Sequence, residues 1–292
     1  LITTHKGQLG RIGVVGGSVE YKGTPYFAAT SALKVGADLS YVFCTRESAP
    51  IIKSYSPDLI VYPNLDSMNV IEEITSLLPK LHSVVIGPGL GRDDRILATV
   101  GQIIDKVKEL DLPMVLDADA LYFVSKCPEI VRGYTKDILT PNVFEFDRLY
   151  AAVYQSEPNK SEDPKAFSLQ LSQTLGNITI VRKGNDDIIT DGHSVITCNE
   201  MGSPRRCGGQ GDLLAGAIST FAYWSQNAFS EMTPSVDPSL QKYIPSIVAG
   251  LGACILTRRC ARLAFQKYAR STITSDIIKE MKNAFSSLYP VD

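Results

Sequence analysis

No Cys-x-x-Cys pair and no cysteine–histidine cluster occurs in the sequence. The six cysteines (Cys44, Cys127, Cys198, Cys207, Cys254, Cys260) are scattered, and they read as free thiols of a reducing compartment rather than as a disulfide framework. The histidines His5, His82 and His193 are isolated, so none is assigned a role. No long apolar run is present either. The longest, Ile247–Leu256, contains glycines and falls short of the roughly 20 residues a membrane-spanning helix needs. Charge of one sign is not in excess: 29 basic against 31 acidic residues leave a net charge of −2. An evenly mixed pattern of this kind argues against nucleic acid or a membrane surface as the partner. Two familiar phosphate loops are missing as well, the Walker GxxxxGK[ST] and the dinucleotide GxGxxG. There is no internal repeat, no low-complexity tract and no linker, so residues 1–292 read as one domain.

What is present is an alternation of short apolar runs with amphipathic stretches. Strands are expected at Arg11–Val15, Leu39–Cys44, Ser83–Ile86, Met114–Leu116, Ile138–Leu139 and Ile178–Val181. Helices are expected at Tyr26–Ala37, Ser67–Leu78, Asp93–Leu110, Phe144–Tyr154 and Pro164–Leu175, with a polar loop at Gln155–Asp163. Asp187–Thr190 and Ser194–Thr197 around Asp191-Gly192 read as a hairpin, because Asp-Gly supplies the positive φ of a tight turn. A helix from about Asp212 to Ser225, a surface insertion at Asn227–Lys242 and closing helices at Ile244–Tyr268 and Thr274–Leu288 complete the chain. Repeated strand–helix units imply an α/β fold with a mostly parallel central sheet between helices. Ligands of such sheets bind beyond the C-terminal strand ends, so chemistry is sought just after strands.

The strongest such segment is Arg205-Arg206-Cys207-Gly208-Gly209-Gln210-Gly211-Asp212-Leu213-Leu214-Ala215-Gly216. Glycines ahead of a helix let backbone amides approach an anion, and the helix dipole adds attraction. A β-branched residue at Gly209 would then fill space a phosphate needs. Asp212 is either a helix cap or the base that takes a proton from a hydroxyl attacking a γ-phosphate. Val181-Arg182-Lys183-Gly184-Asn185-Asp186-Asp187 is either a strand-to-turn transition or a positive charge beside a nucleotide. Gly87-Pro88-Gly89-Leu90-Gly91-Arg92 is either a tight crossover or a ligand loop. In Thr140-Pro141-Asn142-Val143-Phe144-Glu145-Phe146-Asp147-Arg148, Asn142 and Glu145 fit a capping box, or Asn142, Glu145 and Arg148 face a substrate. Asp117-Ala118-Asp119 offers caps, or acids for a metal or a ligand hydroxyl. Gly16-Gly17-Ser18 and Lys22-Gly23 are turns or the mouth of a site.

Taken in order, these motifs resemble the ATP-dependent NAD(P)H-hydrate dehydratases of the ribokinase-like superfamily. The likeness runs from His5-Lys6-Gly7 through GPGLGR, DADAL and TPN..EF.RL to Lys183-Gly184 and CGGQGDLLAG, nearly the whole chain. The resemblance implies a three-layer α/β/α sandwich and repair of hydrated NADH or NADPH (NADHX, NADPHX) in the S form. The ring hydroxyl is phosphorylated by ATP with Mg²⁺, and phosphate then leaves. It implies substrate contacts at Gly89, Asn142, Val143, Phe144, Glu145, Phe146, Asp147 and Arg148. It assigns ATP to Lys183, Gly184, Asn185, Asp186 and Asp187, and to Gly202, Ser203, Pro204, Arg205, Arg206, Cys207, Gly208, Gly209, Gln210 and Gly211. Asp212 becomes both substrate contact and catalytic base, and the metal ligands stay unassigned.

Asn142 and the Arg205-Arg206-Cys207 stretch are similar to the ATP-using eukaryotic form; bacterial relatives carry a TPH-type segment and commonly use ADP. A separate epimerase and a homo-oligomer are further expectations of the resemblance. The first residue is Leu1, so the compartment stays open between cytosol and mitochondrion. Two other readings compete. A vitamin-precursor kinase of the same fold would accumulate phosphorylated product, and a catalytically silent nucleotide-binding scaffold would have lost the acid at 212 or the glycines.

Overall fold

The structure is a computed structural model that describes residues 5–159, 161, 163–230 and 237–290. Its strands are β1 (Arg11–Val15), β2 (Leu39–Phe43), β3 (Ile60–Tyr62), β4 (Ser83–Ile86), β5 (Met114–Leu116), β6 (Asp137–Leu139), β7 (Thr179–Arg182), β8 (Asp187–Thr190) and β9 (Val195–Cys198). They form one sheet in the order β3-β2-β1-β4-β5-β6-β7-β8-β9. From β3 to β7 every pairing is parallel, and β8 and β9 close one edge antiparallel.

The central strands are uninterrupted apolar runs because both faces of the sheet are covered. Along β4, Val84 and Ile86 point to one core and Val85 to the other, and all three are fully buried. Each such side chain contributes roughly 1.5–3 kcal/mol relative to exposure. On one face lie α1 (Gly23–Val35), α2 (Ala49–Tyr55), α8 (Gln210–Ser230), α9 (Pro245–Tyr268), α10 (Thr274–Lys279) and α11 (Met281–Leu288). On the other lie α3 (Val70–Thr75), α4 (Asp94–Glu109), α5 (Asp119–Lys126), α6 (Val143–Tyr154) and α7 (Pro164–Thr174). The result is the expected three-layer α/β/α sandwich.

Several boundaries differ from expectation. The helix expected from Asp212 to Ser225 begins at Gln210 and runs to Ser230, so Asn227–Ser230 belongs to it rather than to an insertion. Residues 231–236 of that expected insertion, and 160 and 162 of the Gln155–Asp163 loop, lie outside the described residues. The closing stretch 274–288 is two helices that meet at Glu280, whose buried carboxylate accepts from Lys267 and Asn283. The helix expected over Ser67–Leu78 shrinks to Val70–Thr75. Three short elements, α2, β3 and α5, carry too few residues for periodicity to reveal them.

Candidate active site

Five motif segments follow the C-terminal ends of parallel strands, whereas the glycine-rich Gly202–Gly211 segment follows the antiparallel edge strand β9. Gly16–Ser18 follows β1, Gly87–Gly91 follows β4, Asp117 follows β5, Thr140–Asn142 follows β6 and Lys183 follows β7. Since β1, β4, β5, β6 and β7 are sheet neighbours, these ends form one edge. The first two loops lock together: the Gly17 amide donates to Pro88 O at 3.1 Å and the Ser18 amide to Gly89 O at 2.7 Å. A Cβ on Gly16 would lie 2.1 Å from Pro88 O, and one on Gly87 1.8 Å from Asp117 O. These glycines therefore permit loop-on-loop packing.

Beneath that edge opens a cleft of about 1100 Å³. At its base Lys183 Nζ donates to Asp117 Oδ1 at 2.8 Å and lies 3.9 Å from Glu145 Oε2. Thr140 Oγ1 donates to the same Asp117 oxygen at 2.8 Å. The start of α8 faces this group. A Cβ on Gly211 would lie 3.2 Å from Lys183 Nζ and 3.6 Å from Asp117 Oδ2, so the helix end, the ammonium and the carboxylate share one small volume. Helix α8 is fixed there by its fit against α1. A Cβ at Gly216 would sit 2.0 Å from Ala28 O, and Ser31 Oγ donates to Leu213 O at 2.6 Å.

Asp212 lies in the first turn of α8, 6% exposed, and lines the cleft. As its third residue, Asp212 is inside the helix rather than a cap ahead of it. Burial pushes its carboxyl well above the usual carboxylate range, Asp117 and Glu145 add to that, and Lys183 offsets part of it. Burial also raises Glu145, with Lys183 opposing. Burial alone would lower Lys183, but Asp117, Glu145 and Asp212 outweigh it and hold the ammonium charged. One cation thus faces three acids, with anion-seeking amides of a helix start beside them. Such a site can bind phosphate at the amides and the lysine and accept a proton at Asp212.

The residues expected at an ATP site divide. Lys183, Asn185, Asp186, Asp187, Gly202, Ser203, Pro204, Arg206, Cys207, Gly209, Gln210 and Gly211 line the cleft, as do Asn142 and Glu145 of the substrate set. Gly184, Arg205 and Gly208 are not part of this lining, and Arg205 and Gly208 are exposed. Gly184 donates to Asp187 Oδ1 at 3.0 Å, Arg205 reaches Thr272 O at 3.5 Å, and Gly208 O accepts from Thr274 Oγ1. Asn142 and Glu145 do form the capping box, so the structural reading of that pair holds alongside any role at the cleft.

One expectation is corrected, and one residue gains a second constraint. Phe146 is fully buried in the core beneath Arg182, so its ring has no surface to offer a substrate; it anchors α6 instead. Gly209 does not need to be glycine for phosphate alone. Its φ is 95°, and a Cβ would lie 2.9 Å from Thr274 Cγ2 and 3.0 Å from Phe27 Cδ2, so a side chain there strains the loop itself. Outside the cleft lining are Gly89, whose Cβ would meet Thr24 Oγ1 at 2.1 Å, the exposed Val143 and Phe144, and the partly buried Asp147 and Arg148.

Sequence reasoning missed Arg258 and Thr24. Arg258, on α9, donates to Asp187 Oδ2 at 2.6 Å, Gly184 O at 3.1 Å and Glu200 O at 3.3 Å, tying the Lys183–Asp187 turn and the residue ahead of the glycine-rich segment to one helix. Nothing in the apolar pattern of α9 marks it. Thr24 lines the cleft with a buried hydroxyl that has no hydrogen-bond partner in the structure. The Lys22-Gly23 turn beside it was the only local hint.

A mostly parallel sheet with a glycine-rich helix start and a buried aspartate beyond its C-terminal edge suits a nucleotide-dependent enzyme, and the fold is ribokinase-like. Within that class, the family model for NAD(P)H-hydrate dehydratase matches residues 12–283, and the chain belongs to that family. An ATP-dependent (S)-NAD(P)H-hydrate dehydratase of Danio rerio is 54% identical over 98% of this chain and 84% of its own length. The protein of the same name from Mus musculus is 55% identical over 98% of this chain and 81% of its own length. Among solved structures, the ADP/ATP-dependent NAD(P)H-hydrate dehydratase of Bacillus subtilis, co-crystallised with ATP/Mg²⁺, has the same fold. Its TM-score is 0.69 at 22% identity, with 97% of this chain and 92% of that one covered.

Proposed function

We propose that this chain dehydrates the S form of hydrated NADH and NADPH at the expense of ATP, returning the reduced dinucleotide, ADP and phosphate. The observation that carries the reading is Asp212: a buried carboxyl, pushed by burial well above the usual carboxylate range, in the first turn of a glycine-led helix that starts beside Lys183. Homologues at 54% identity bear the matching name. Asp212 takes the proton of the substrate hydroxyl as its oxygen forms a bond to the γ-phosphorus and ADP departs. Lys183 and the amides around Gly211 stabilise the charge on the transferring group. The carbon–oxygen bond then breaks with phosphate as leaving group, and loss of a proton from the adjoining ring carbon restores the double bond.

Mg²⁺ fits the donors present. Among the described residues no group of three or more His, Cys, Asp or Glu stands ready to hold a metal. Mg²⁺ typically takes one or two carboxylates together with phosphate oxygens and waters, which Asp117 and Glu145 beside a triphosphate would supply. When bound it neutralises phosphate charge. ATP is the proposed donor, bound along Lys183–Asp187 and Gly202–Gly211. The reading extends to one functional domain, a homo-oligomer, a separate epimerase supplying the S form, and a reducing compartment, cytosol or mitochondrion. Scattered free cysteines support the last. Among the described residues no helix is long and apolar enough to cross a membrane.

The test is incubation of the purified protein with S-NADHX, ATP and Mg²⁺. Recovery of NADH with one ADP and one phosphate per turnover supports the reading. Accumulation of a phosphorylated dinucleotide, or no reaction, refutes it.

A further inference from the structure

Three cationic side chains from three segments gather on one aromatic ring. The Arg92 guanidinium carbon lies 4.3 Å from the centroid of Tyr122, Lys126 Nζ 4.9 Å and the Arg148 guanidinium carbon 5.5 Å. Arg92 ends the glycine loop after β4, Tyr122 and Lys126 are one turn apart on α5, and Arg148 is on α6. Among the described residues one carboxylate is paired with the trio: Asp119, whose Oδ1 is 3.3 Å from Arg92 Nε. Its other oxygen accepts from the Gly91 amide at 2.9 Å, which holds the loop and α5 together. Asp94 and Glu145 act on Lys126 and Arg148 only at longer range.

One cation over a ring is an ordinary surface contact, worth about 0.5–1 kcal/mol when exposed. Three on one ring are different: among the described residues a single carboxylate touches them, and the more distant Asp94 and Glu145 compensate the remaining positive charge only in part. An anion placed among them relieves their mutual repulsion, and paired guanidinium and ammonium donors suit phosphate oxygens.

The position is informative too. Arg148 lies one helical turn beyond Glu145, about 4.5 Å along the axis at 1.5 Å per residue, and Glu145 is itself 3.9 Å from Lys183. Tyr122 follows Asp117, at the base of the cleft, by five residues. None of Arg92, Tyr122, Lys126 and Arg148 lines the cleft, whereas Glu145 of α6 and Asp117 just ahead of α5 do. Phosphates of a dinucleotide that extends from Asp212 beyond the cleft along these two helices would meet the cationic group.

We propose that Arg92, Lys126 and Arg148, gathered on Tyr122, are a phosphate-binding platform for the dinucleotide substrate, separate from the ATP cleft. The proposal deepens the reading above and rests on it. The ligand chemistry is a phosphate anion, and it has two sources: the pyrophosphate bridge common to NADHX and NADPHX, or the 2′-phosphate of NADPHX alone.

The experiment measures KM for NADHX, NADPHX and ATP in the intact protein and in Arg92→Gln, Lys126→Gln and the double variant, with Tm as the fold control. Loss of a charge-assisted contact is expected to raise the substrate KM roughly tenfold, with the KM for ATP unmoved. An equal rise for both substrates assigns the platform to the pyrophosphate; a rise for NADPHX alone assigns it to the 2′-phosphate. Arg92→Lys, which keeps the charge, restores part of the loss. Unchanged KM values for both substrates, or a rise confined to ATP, overturn the platform while leaving the dehydratase reading intact. Failure of the unmodified protein to turn over either substrate overturns both.

Discussion

Lys183 Nζ and Asp117 Oδ1 are 2.8 Å apart, and through this bond residues from two different strand ends position a charge against the first turn of α8. Asp117 does more than hold the ammonium. Its negative charge adds to the rise of Asp212. Replacing it by a neutral isostere removes that contribution, so the folded-state value of Asp212 drops. Asp117→Asn is therefore expected to move the acid limb of the kcat/KM profile to lower pH and to lower kcat, since Lys183 loses its anchor. An acid limb that stays in place would show Asp117 to be structural only.

Asp212→Asn is expected to lower kcat by about 10²–10⁴-fold, the usual range for a positioned general base. The protein should still bind ATP, because the amides and Lys183 remain. Equilibrium binding of a nucleotide analogue, measured beside turnover, separates the two. Activity near that of the unmodified protein would remove Asp212 from the mechanism.

Gly211 and Gly209 make an informative pair. Gly211 is helical, and an added Cβ would project toward Lys183 Nζ, 3.2 Å away. Gly211→Ala should therefore raise the KM for ATP and lower kcat while leaving Tm nearly unchanged. Gly209 has φ of 95° with Thr274 and Phe27 close by, so Gly209→Ala should instead lower Tm, by a strain of about 1–3 kcal/mol. Thermal denaturation and kinetics on both variants check this; equal Tm losses would contradict it.

Asp137 lies far from this chemistry, at the start of β6. It is fully buried, and neither carboxyl oxygen has a hydrogen-bond partner in the structure. Burial raises it well above its usual 3.8, with Lys108 offsetting a part. A raised folded-state value means the folded protein binds the proton more tightly than the unfolded chain. The associated stability is full below the unfolded value of about 3.8 and declines as pH rises through the folded one. Asp137→Asn, neutral throughout, should flatten that decline without altering kcat. Denaturation midpoints between mildly acid and mildly alkaline pH test it; parallel pH dependences for both proteins would refute the assignment.

The sequence alone determined the alternation of strand and helix, the parallel sheet and the sites of the loops. Apolar runs such as Val84–Ile86 and glycine-led turns such as Gly208–Gly211 are local signals, set by backbone conformation and solvent exclusion. Short elements escaped it, since α2, β3 and α5 are too brief for a period to register. Which side chains meet was decided only by tertiary structure. Asp117, Lys183 and Asp212 are far apart along the chain and converge because β5 and β7 flank β6 while Gly216 lets α8 close on α1. The same holds for Arg258, whose helix shows no local mark of the contact with Asp187, and for Phe146, for which the family resemblance implied a substrate contact and whose place is the core. Burial and charge pairing are properties of the assembled sheet and its layers, and a linear pattern carries only the part of them that recurs at the period of a strand or a helix.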